Sequence, residues 1–329
     1  MLKKYIVITS VFQPTEAIRA FSSMSGYRLV VVGDAKTPER WECPNVEYVS
    51  LERQRDMPTR VGRLLPLNHY CRKMMGYLYA MEKGADIIID SDDDNIPFET
   101  WEFPEMDGVF EYIQPNHGFI NMYERFSDRK IWPRGLPLRL INDPRDFESD
   151  IGTRHCNVGV WQGLADGDPD VDAIYRMTYG ELCCFAVKQP CVLGAGTISP
   201  FNSQNAAFRK AVFPLLYLPI SVTFRFTDIL RGLVAQPIMW LYGYHLGFTS
   251  ATVTQERNPH DLMKDFISEI PMYTQSEEVF KRVSEAISPD RSIADNLRLS
   301  YKALFASGIV ADRELESLDA WLNDVARLC

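Results

Sequence analysis

Residues 87–97 read IIIDSDDDNIP, so a short run of isoleucines is followed at once by a cluster of aspartates. Such an apolar run is typical of a buried β-strand, and residues 66–83 before it have helical spacing. Towards the N-terminus, further apolar runs occur at residues 5–9 (YIVIT), 28–32 (RLVVV) and 46–51, with a short helical stretch at 15–21. This alternation predicts an α/β fold with a mostly parallel central sheet covered on both faces.

The rest of the chain has weaker patterns. Residues 100–200 are rich in Pro, Gly and Asp, which predicts irregular loops with short strands. From Ser276 to Leu328 the apolar residues recur at helical spacing, with polar residues between them. We therefore expect a helical C-terminal end after the sheet.

The charge balance restricts the class of partner. The 329 residues include 35 Lys+Arg and 44 Asp+Glu, which gives a formal net charge of −9. Proteins that coat nucleic acid need a basic surface to neutralise phosphates, so a nucleic-acid partner is disfavoured. An apolar content of 46% and a charged content of 24% are those of an ordinary globular protein with a core.

Cysteine usage and apolar segments indicate the cellular setting that we expect. The seven cysteines include no CxxC pair, and an odd number favours reduced thiols and a cytoplasmic location. The first apolar run is too short for a signal sequence. Residues 211–226 are interrupted by Pro214 and Pro219, so no transmembrane helix is expected. Phe213–Leu218 would form either buried core, which we favour, or an exposed patch for peripheral contact with a membrane.

The aspartate cluster is the strongest chemical signal. Four carboxylates at the end of one strand repel each other unless a cation neutralises them. Asp92 and Asp94, two residues apart on an extended segment, point the same way and can share one metal ion. Oxygen ligands suit Mn²⁺ or Mg²⁺, which also bind substrate phosphates. The alternative is a solvated acidic turn.

Other charged residues have two readings each. Lys73, on the helix before the aspartates, and Arg134 would contact a diphosphate or belong to a solvated surface. In the acidic run 166–172, Asp170 or Asp172 would bind a sugar hydroxyl or Arg176, or the run would cap the segment that follows.

Two further residues complete the candidates. His260 follows Asn-Pro on a loop and would supply a third metal ligand, although a lone histidine is more often an ordinary polar residue. Asp228 would serve as an N-cap or as a general base for an acceptor hydroxyl.

Several motifs together resemble the STELLO-type glycosyltransferase-like family. They are Val31-Val32-Gly33-Asp34 with Lys36-Thr37-Pro38, Arg72-Lys73 with Gly76-Tyr77-Leu78, Asp90–Pro97, Trp132–Pro137, Gly167–Ala173 and Asp228–Gly232 with Gln236. More distantly, the pattern is similar to the reversibly glycosylated polypeptides, which are UDP-arabinopyranose mutases. The resemblance covers about residues 1–265.

The resemblance implies a GT-A fold, in which a DxD motif holds a divalent cation against the diphosphate of a nucleotide sugar. The catalytic domain would span residues 1–265, with a nucleotide-binding half at 1–100 and an acceptor-side half at 100–265, followed by a helical extension at 266–329. The metal ligands would be Asp92, Asp94 and His260. The catalytic carboxylates would be Asp228 and Asp172. The donor-binding residues would be Thr9, Gly33, Asp34, Lys36, Lys73, Asp93 and Arg134.

The function implied is transfer of a sugar from a nucleotide-diphosphate donor, a UDP-sugar by expectation, to an acceptor hydroxyl with Mn²⁺ or Mg²⁺. Two alternatives stay open at this point. One is a UDP-sugar mutase that needs no acceptor, and the other is a catalytically silent scaffold of the same fold.

Overall fold

The computed structural model describes residues 2–143, 147, 150–256 and 261–329, and a ten-stranded sheet lies at its centre. The strands are β1 (Lys4–Thr9), β2 (Tyr27–Val32), β3 (Val46–Val49), β4 (Ile87–Ser91), β5 (Asn95–Pro97), β6 (Asp107–Ile113), β7 (Gly118–Phe119), β8 (Ile151–Gly167), β9 (Cys191–Leu193), β10 (Thr197–Ile198), β11 (Asn205–Arg209) and β12 (Tyr244–Gln255). The α-helices are α1 (Glu16–Ser22), α2 (Leu51–Asp56), α3 (Lys73–Glu82), α4 (Met122–Phe126), α5 (Ala173–Thr178), α6 (Thr227–Leu241), α7 (Leu262–Ala286), α8 (Ile293–Ala306) and α9 (Arg313–Leu328).

The large sheet has the strand order β3-β2-β1-β4-β11-β8-β6-β9-β12-β5, with an additional pairing of β8 and β12. The first four strands are parallel, as predicted. Beyond them the directions are mixed, because β11 is antiparallel to both β4 and β8 while β12 is parallel to β8. The predicted α/β class is confirmed, and the architecture is consistent with a GT-A fold.

Both faces of the parallel strands are buried, as the continuous apolar runs require. Val7 and Val30 belong to one hydrophobic cluster, whereas Ile6 and Ile8 belong to a second cluster on the other face. Helix α3 packs closely on the first face, since a Cβ atom at Gly76 would lie 2.5 Å from Cγ1 of Val7. This close packing holds the start of α3 next to the end of β4.

The prediction of short strands in the region 100–200 was wrong for its longest element. Strand β8 extends over 17 residues, Ile151–Gly167, and pairs with β6, β11 and β12. Its sequence shows no clean alternation because it contains glycines where neighbours approach closely. At Gly159, for example, a Cβ atom would lie 2.6 Å from Sδ of Met239.

The C-terminal helices pack against the rest of the protein. Helix α7 begins at Leu262, well before the helical pattern that starts at Ser276, and contains Pro271. It contacts α5 and α6, while α9 contacts α3. A buried carboxylate of α9, Asp324, accepts hydrogen bonds from the backbone N–H groups of Arg60 and Val61 at 2.7 and 2.9 Å.

The apolar segment 211–226 contributes to the core. Phe213, Leu216 and Leu218 have no exposed surface, which confirms the favoured reading of this stretch. In the part of the chain that the structure describes, no helix combines the length and the apolar character needed to span a bilayer.

Candidate active site

A pocket of about 370 Å³ lies at the edge of the sheet where the parallel strands β1, β2 and β4 end. The antiparallel strand β11 begins at the same edge, because Asn205 pairs with Ser91. The pocket therefore collects side chains from both halves of the sheet. It is lined by Thr9, Ser10, Val11, Phe12, Asp34, Lys36, Asn68, His69, Tyr70, Asp92, Asp93, Asp94, Arg134, Asp170, Ser203, Gln204, Phe224, Arg225, Asp228 and Gln255.

Most of the residues predicted from the sequence come together in this pocket. Those in its lining are Thr9, Asp34, Lys36, Asp92, Asp93, Asp94, Arg134 and Asp228. Gly33, Lys73 and Asp172 are not part of the lining. His260, the predicted third metal ligand, falls outside the described residues.

Lys73 holds the aspartate loop from behind. It is fully buried, and its Nζ lies 2.8 Å from Oδ1 of Asp90 and 2.8 Å from Oδ1 of Asp92. Asp90 is also buried, and its other oxygen lies 2.8 Å from Arg231. Asp92 keeps 40% of its side chain exposed. Lys73 thus lies behind the predicted metal ligand and has no surface of its own in the pocket.

Two carboxyl groups of this loop, those of Asp92 and Asp93, do not ionise as readily as free aspartates. Desolvation raises the pKa of Asp92 to about 6, with the neighbouring charge of Asp94 adding to the rise and Lys73 opposing it. Burial likewise raises the pKa of Asp93 to about 6, although the Ser10 hydroxyl donates a hydrogen bond to this carboxylate. A bound cation would favour the charged forms.

The donor set fits a metal ion only in part. Asp92 and Asp94 offer the hard oxygen ligands that Mg²⁺ and Mn²⁺ prefer. Across residues 2–143, 147, 150–256 and 261–329, no three or more His, Cys, Asp or Glu side chains are grouped so as to hold a metal. Because Mg²⁺ commonly uses one or two carboxylates and completes its shell with water and substrate phosphates, these two residues fit a cation that is bound together with a diphosphate.

The loop after β2 has a fixed shape beside the aspartates. The Thr37 hydroxyl donates to the carbonyl of Ser10 at 2.7 Å and accepts from the backbone N–H of Asp34 at 2.7 Å. A carboxylate oxygen of Asp34 accepts from the backbone N–H of His69 at 3.1 Å. Lys36 is exposed at the mouth of the pocket. An ordered loop with an accessible ammonium is suited to an anionic ligand.

All five N–H groups of Arg134 donate hydrogen bonds to acceptors within the protein. Nε and Nη2 donate to the two oxygens of Asp170 at 2.9 and 2.7 Å. Nη1 and Nη2 donate to the two oxygens of Asp228 at 3.0 and 2.9 Å, and Nη1 also donates to the carbonyl of Arg225. This saturation disfavours a contact with diphosphate and gives Arg134 the role of fixing two carboxylates.

Asp228, the candidate general base, is enclosed by donors. Besides Arg134, the Tyr70 hydroxyl and the backbone N–H of Ile229 donate to Oδ1 at 3.2 and 3.0 Å, and the backbone N–H of Ser203 donates to Oδ2 at 3.2 Å. Burial opposes ionisation, but the Arg134 guanidinium outweighs it and lowers the pKa of Asp228. A general base works best with a pKa near the operating pH, so the geometry favours Asp228 as a permanently ionised hydrogen-bond acceptor.

Asp172, the other predicted catalytic carboxylate, caps helix α5. It is fully buried, and its two oxygens accept from the backbone N–H of Tyr175 and from Nε1 of Trp132, both at 2.8 Å. Burial raises its pKa to about 6. The capping alternative is therefore the one observed, and the acidic run reaches the pocket through Asp170 instead.

Comparison with known proteins shows two relatives to which this chain is similar. The chain is 27% identical to the probable glycosyltransferase STELLO1 of Arabidopsis thaliana over 98% of its length, and 28% identical to the probable glycosyltransferase STELLO2 of the same plant over 76%. The resemblance to the STELLO-type family is confirmed. The chain spans less than half of these relatives, 44% and 35% of their lengths. No family model matches.

A solved structure of a mycobacterial protein is similar to this chain at 14% identity and a TM-score of 0.40. That match covers 85% of this chain and 74% of the other.

The motifs that suggested the resemblance do not include an aromatic wall of the pocket. The His69 and Tyr70 rings stack, with centroids 5.4 Å apart and planes at 12°, and Phe224 lies edge-on to Tyr70 at 4.7 Å. The Phe224 side chain is half exposed. The sequence offered no signal for this cluster, because 154 residues separate Tyr70 from Phe224.

Ser203, Gln204 and Arg225 were also missed by sequence reasoning. Ser203 and Gln204 immediately precede β11, whose antiparallel direction brings its first residues to the pocket. Apolar runs reveal a strand but not its direction. Arg225 lies near the end of the apolar segment 211–226, which we could interpret only as core or surface patch.

Proposed function

We propose that this protein is a metal-dependent glycosyltransferase that takes a nucleotide-diphosphate sugar, in particular a UDP-sugar, and transfers the sugar to an acceptor hydroxyl. The observation that carries the proposal is the position of Asp92 and Asp94 in one pocket with the ordered loop 33–37. The names of the two Arabidopsis relatives support glycosyl transfer in general. Donor, metal and acceptor are inferred from the chemistry of the pocket.

In this proposal, Asp92 and Asp94 would hold a Mn²⁺ or Mg²⁺ ion that binds together with the diphosphate of the donor. The cation would neutralise the charge that develops on the departing nucleoside diphosphate. Lys73 keeps Asp92 in place through a buried contact and needs no contact with the ligand. Thr9, Asp34 and Lys36 line the part of the pocket that we assign to the nucleotide.

The strand order supports a bound donor whose nucleotide lies near loop 33–37 and whose sugar lies near β11. In the sheet, β4 lies between β2, which precedes loop 33–37, and β11. Asp92 and Asp94 follow β4, so the nucleotide side of the pocket lies on one side of them and Ser203 and Gln204 lie on the other. The glycosyl group would therefore lie towards β11. Residues 1–100 would form the nucleotide-binding half and residues 100–265 the acceptor side.

The acceptor side contains fixed hydrogen-bonding groups. Arg134 holds the carboxylates of Asp170 and Asp228, both of which face the pocket. A preorganised carboxylate can orient hydroxyl groups, and orientation alone contributes substantially to catalysis. Asp228 already accepts from Arg134, Tyr70, Ile229 and Ser203, so in this proposal it lies near the reacting groups as an ionised residue that fixes the pocket wall.

Incubation with Mn²⁺, a panel of nucleotide sugars and a panel of sugar acceptors tests the proposal. Release of nucleoside diphosphate that depends on both metal and acceptor would support transfer. Isomerisation of a UDP-sugar without an acceptor would replace the proposal with a mutase. Failure to bind any nucleoside diphosphate would leave a scaffold of the same fold.

A further inference from the structure

The pocket wall formed by residues 223–228 rests on the C-terminal helix α7. The Thr223 hydroxyl donates to the carbonyl of Ser268 at 2.6 Å, and the backbone N–H of Arg225 donates to the Ser268 hydroxyl at 3.3 Å. This wall carries Phe224, Arg225 and Asp228, all of which line the pocket. Part of the helical C-terminus therefore supports the site directly.

Glu269, the next residue of α7, makes the strongest of these contacts. Its side chain is fully buried, and Oε1 accepts from Nε of Arg225 at 2.9 Å. Oε2 accepts from the backbone N–H of Ala173 at 2.7 Å and from the Tyr273 hydroxyl at 2.6 Å. A buried carboxylate is tolerated when it is satisfied in this way. Glu269 thereby fixes the edge of the Arg225 guanidinium that carries Nε and Nη2.

Arg225 differs from Arg134 in having a donor to spare. Its Nη2 lies 2.8 Å from Oε1 of Glu269 and 3.9 Å from Oδ1 of Asp170. Nη2 is thus enclosed between the two carboxylates and buried, and Nε donates to Glu269, whereas Nη1 makes no hydrogen bond to any described residue. Since Arg134 uses all its donors within the protein, Arg225 is the guanidinium of the pocket that can donate to a ligand.

The surroundings of Arg225 indicate what it binds. Glu269 and Asp170 flank the guanidinium, so this corner has no excess positive charge for a second phosphate. Ser203 and Gln204, which precede β11, and the half-exposed ring of Phe224 complete the wall. A sugar ring carries hydroxyl groups that can accept from Arg225 and an apolar face that can pack on Phe224, so this corner suits a sugar.

We propose that Arg225 donates a hydrogen bond to the glycosyl group of the bound nucleotide sugar, and that Glu269 on α7 is the positioning residue for Arg225. This inference rests on the proposed function. It makes the C-terminal helix a determinant of sugar recognition, whereas the nucleotide and the metal bind independently of it.

Calorimetry with the full chain and saturating Mn²⁺ tests the inference. The ligands are UDP alone and a panel of UDP-glucose, UDP-galactose, UDP-N-acetylglucosamine and UDP-arabinose, and the quantity compared is the ratio of the Kd of the tightest UDP-sugar to that of UDP. Glu269→Gln and Arg225→Ala are compared with Glu277→Gln. Glu277 is the matched control because it lies on the same helix and forms an exposed ion pair with Arg139.

We expect Glu269→Gln and Arg225→Ala each to raise this ratio about tenfold, with the Kd of UDP unchanged and Glu277→Gln equal to wild type. The double variant should lose no more than Arg225→Ala, because one residue acts through the other. Glu269→Asp should recover part of the loss. If Glu269→Gln does not fold, Arg225→Ala and Arg225→Lys still report on the sugar contact.

Two results would overturn the inference. A ratio that stays constant in Glu269→Gln and Arg225→Ala, or losses equal for UDP and UDP-sugar, would reject the glycosyl contact and leave the proposed function standing. A wild-type protein that binds neither UDP nor any UDP-sugar would reject both together.

Discussion

The ammonium nitrogen of Lys73 lies 2.8 Å from Oδ1 of Asp92, so one of the two proposed metal ligands already has a buried cationic partner. The same nitrogen lies 2.8 Å from Asp90, which is fully buried. Lys73 therefore reduces the repulsion among the aspartates before a metal ion binds. The loop can stay folded without the cation, and it can accept the cation through the exposed part of Asp92.

Replacing Lys73 by Met should be costly for folding. The change leaves Asp90 with Arg231 alone and Asp92 without its cation, and removing one partner of a buried pair costs about 3–5 kcal/mol. Urea denaturation measures the free energy of unfolding. The control is Lys83→Met, since the Lys83 side chain is 44% exposed and its ion pair with Glu82 is long at 3.9 Å. Equal stabilities of the two variants would contradict a buried role for Lys73.

Asp92→Asn and Asp94→Asn should each weaken the binding of UDP with Mn²⁺ by at least about tenfold, because an amide is a poorer ligand for a hard cation. Binding is measured by calorimetry with and without the metal. The control is Asp107→Asn, which alters an exposed carboxylate paired with Arg209. Undiminished affinity in both loop variants would remove these aspartates from the metal site.

The raised pKa values predict a pH dependence of the same binding. Asp92, a proposed metal ligand, and its neighbour Asp93 have pKa values of about 6, and a metal ion binds the carboxylate form of its ligand and not the acid. The affinity for UDP with Mn²⁺ should therefore fall as the pH decreases through 6, about tenfold for one group between pH 7.5 and pH 5. A flat profile over this range, measured by calorimetry, would count against ligation by this loop.

Loss of binding at low pH should not reflect unfolding caused by these groups. Their pKa values in the folded protein exceed the ordinary value of 3.8, so the folded state takes up protons more readily than the unfolded chain. Their contribution to stability consequently increases as the pH falls from 6 towards 4. Thermal denaturation of the metal-free protein at pH 7.5 and pH 5 separates a loss of metal binding from a loss of folding.

The part of the site that follows the parallel strands could be predicted from the sequence. An apolar run that ends in polar residues marks the carboxyl end of a strand, and parallel strands bring these ends together. Asp34 and Asp92 were found in this way, and both line the pocket. The signal is local, because each residue directly follows its own strand.

On the β11 side of the pocket, Arg134 and Asp228 were predicted as site residues, but their contacts could not be predicted because they join distant parts of the chain. Arg134 and Asp228 are 94 residues apart, and neither the pairing nor its effect on the pKa of Asp228 has a local pattern. Strand β8 was missed for a related reason: its glycines reflect close neighbours that only the fold brings near. The helical C-terminus gave no sign that Glu269 reaches the pocket wall.

Asp172→Ala separates a structural from a catalytic role for this carboxylate. The variant loses the cap of α5 and the bond to Trp132, which should cost about 1–3 kcal/mol of stability. Because Asp172 does not line the pocket, the Kd for UDP with Mn²⁺ should stay within about twofold of wild type. Calorimetry and urea denaturation measure the two quantities. A loss of nucleotide affinity without a loss of stability would restore Asp172 to the site.

Arg134→Met tests whether this guanidinium works by fixing carboxylates. The variant leaves Asp170 and Asp228 buried without the guanidinium that pairs with both, so it should lose about 3–5 kcal/mol, measured by urea denaturation. The pKa of Asp228 should rise, because the largest interaction that lowers it is removed while burial remains. Arg134→Lys should restore only part of the stability, because an ammonium cannot supply two parallel pairs of hydrogen bonds.

The decisive comparison adds Asp170→Asn and Asp228→Asn to Arg134→Met. Neutral amides no longer need the guanidinium, so the triple variant should be more stable than Arg134→Met alone. If Arg134 instead acted mainly by binding a diphosphate, Arg134→Met would lose UDP affinity without losing stability, and the two amides would not rescue it. Stability that recovers with the amides therefore assigns Arg134 to the architecture of the pocket wall.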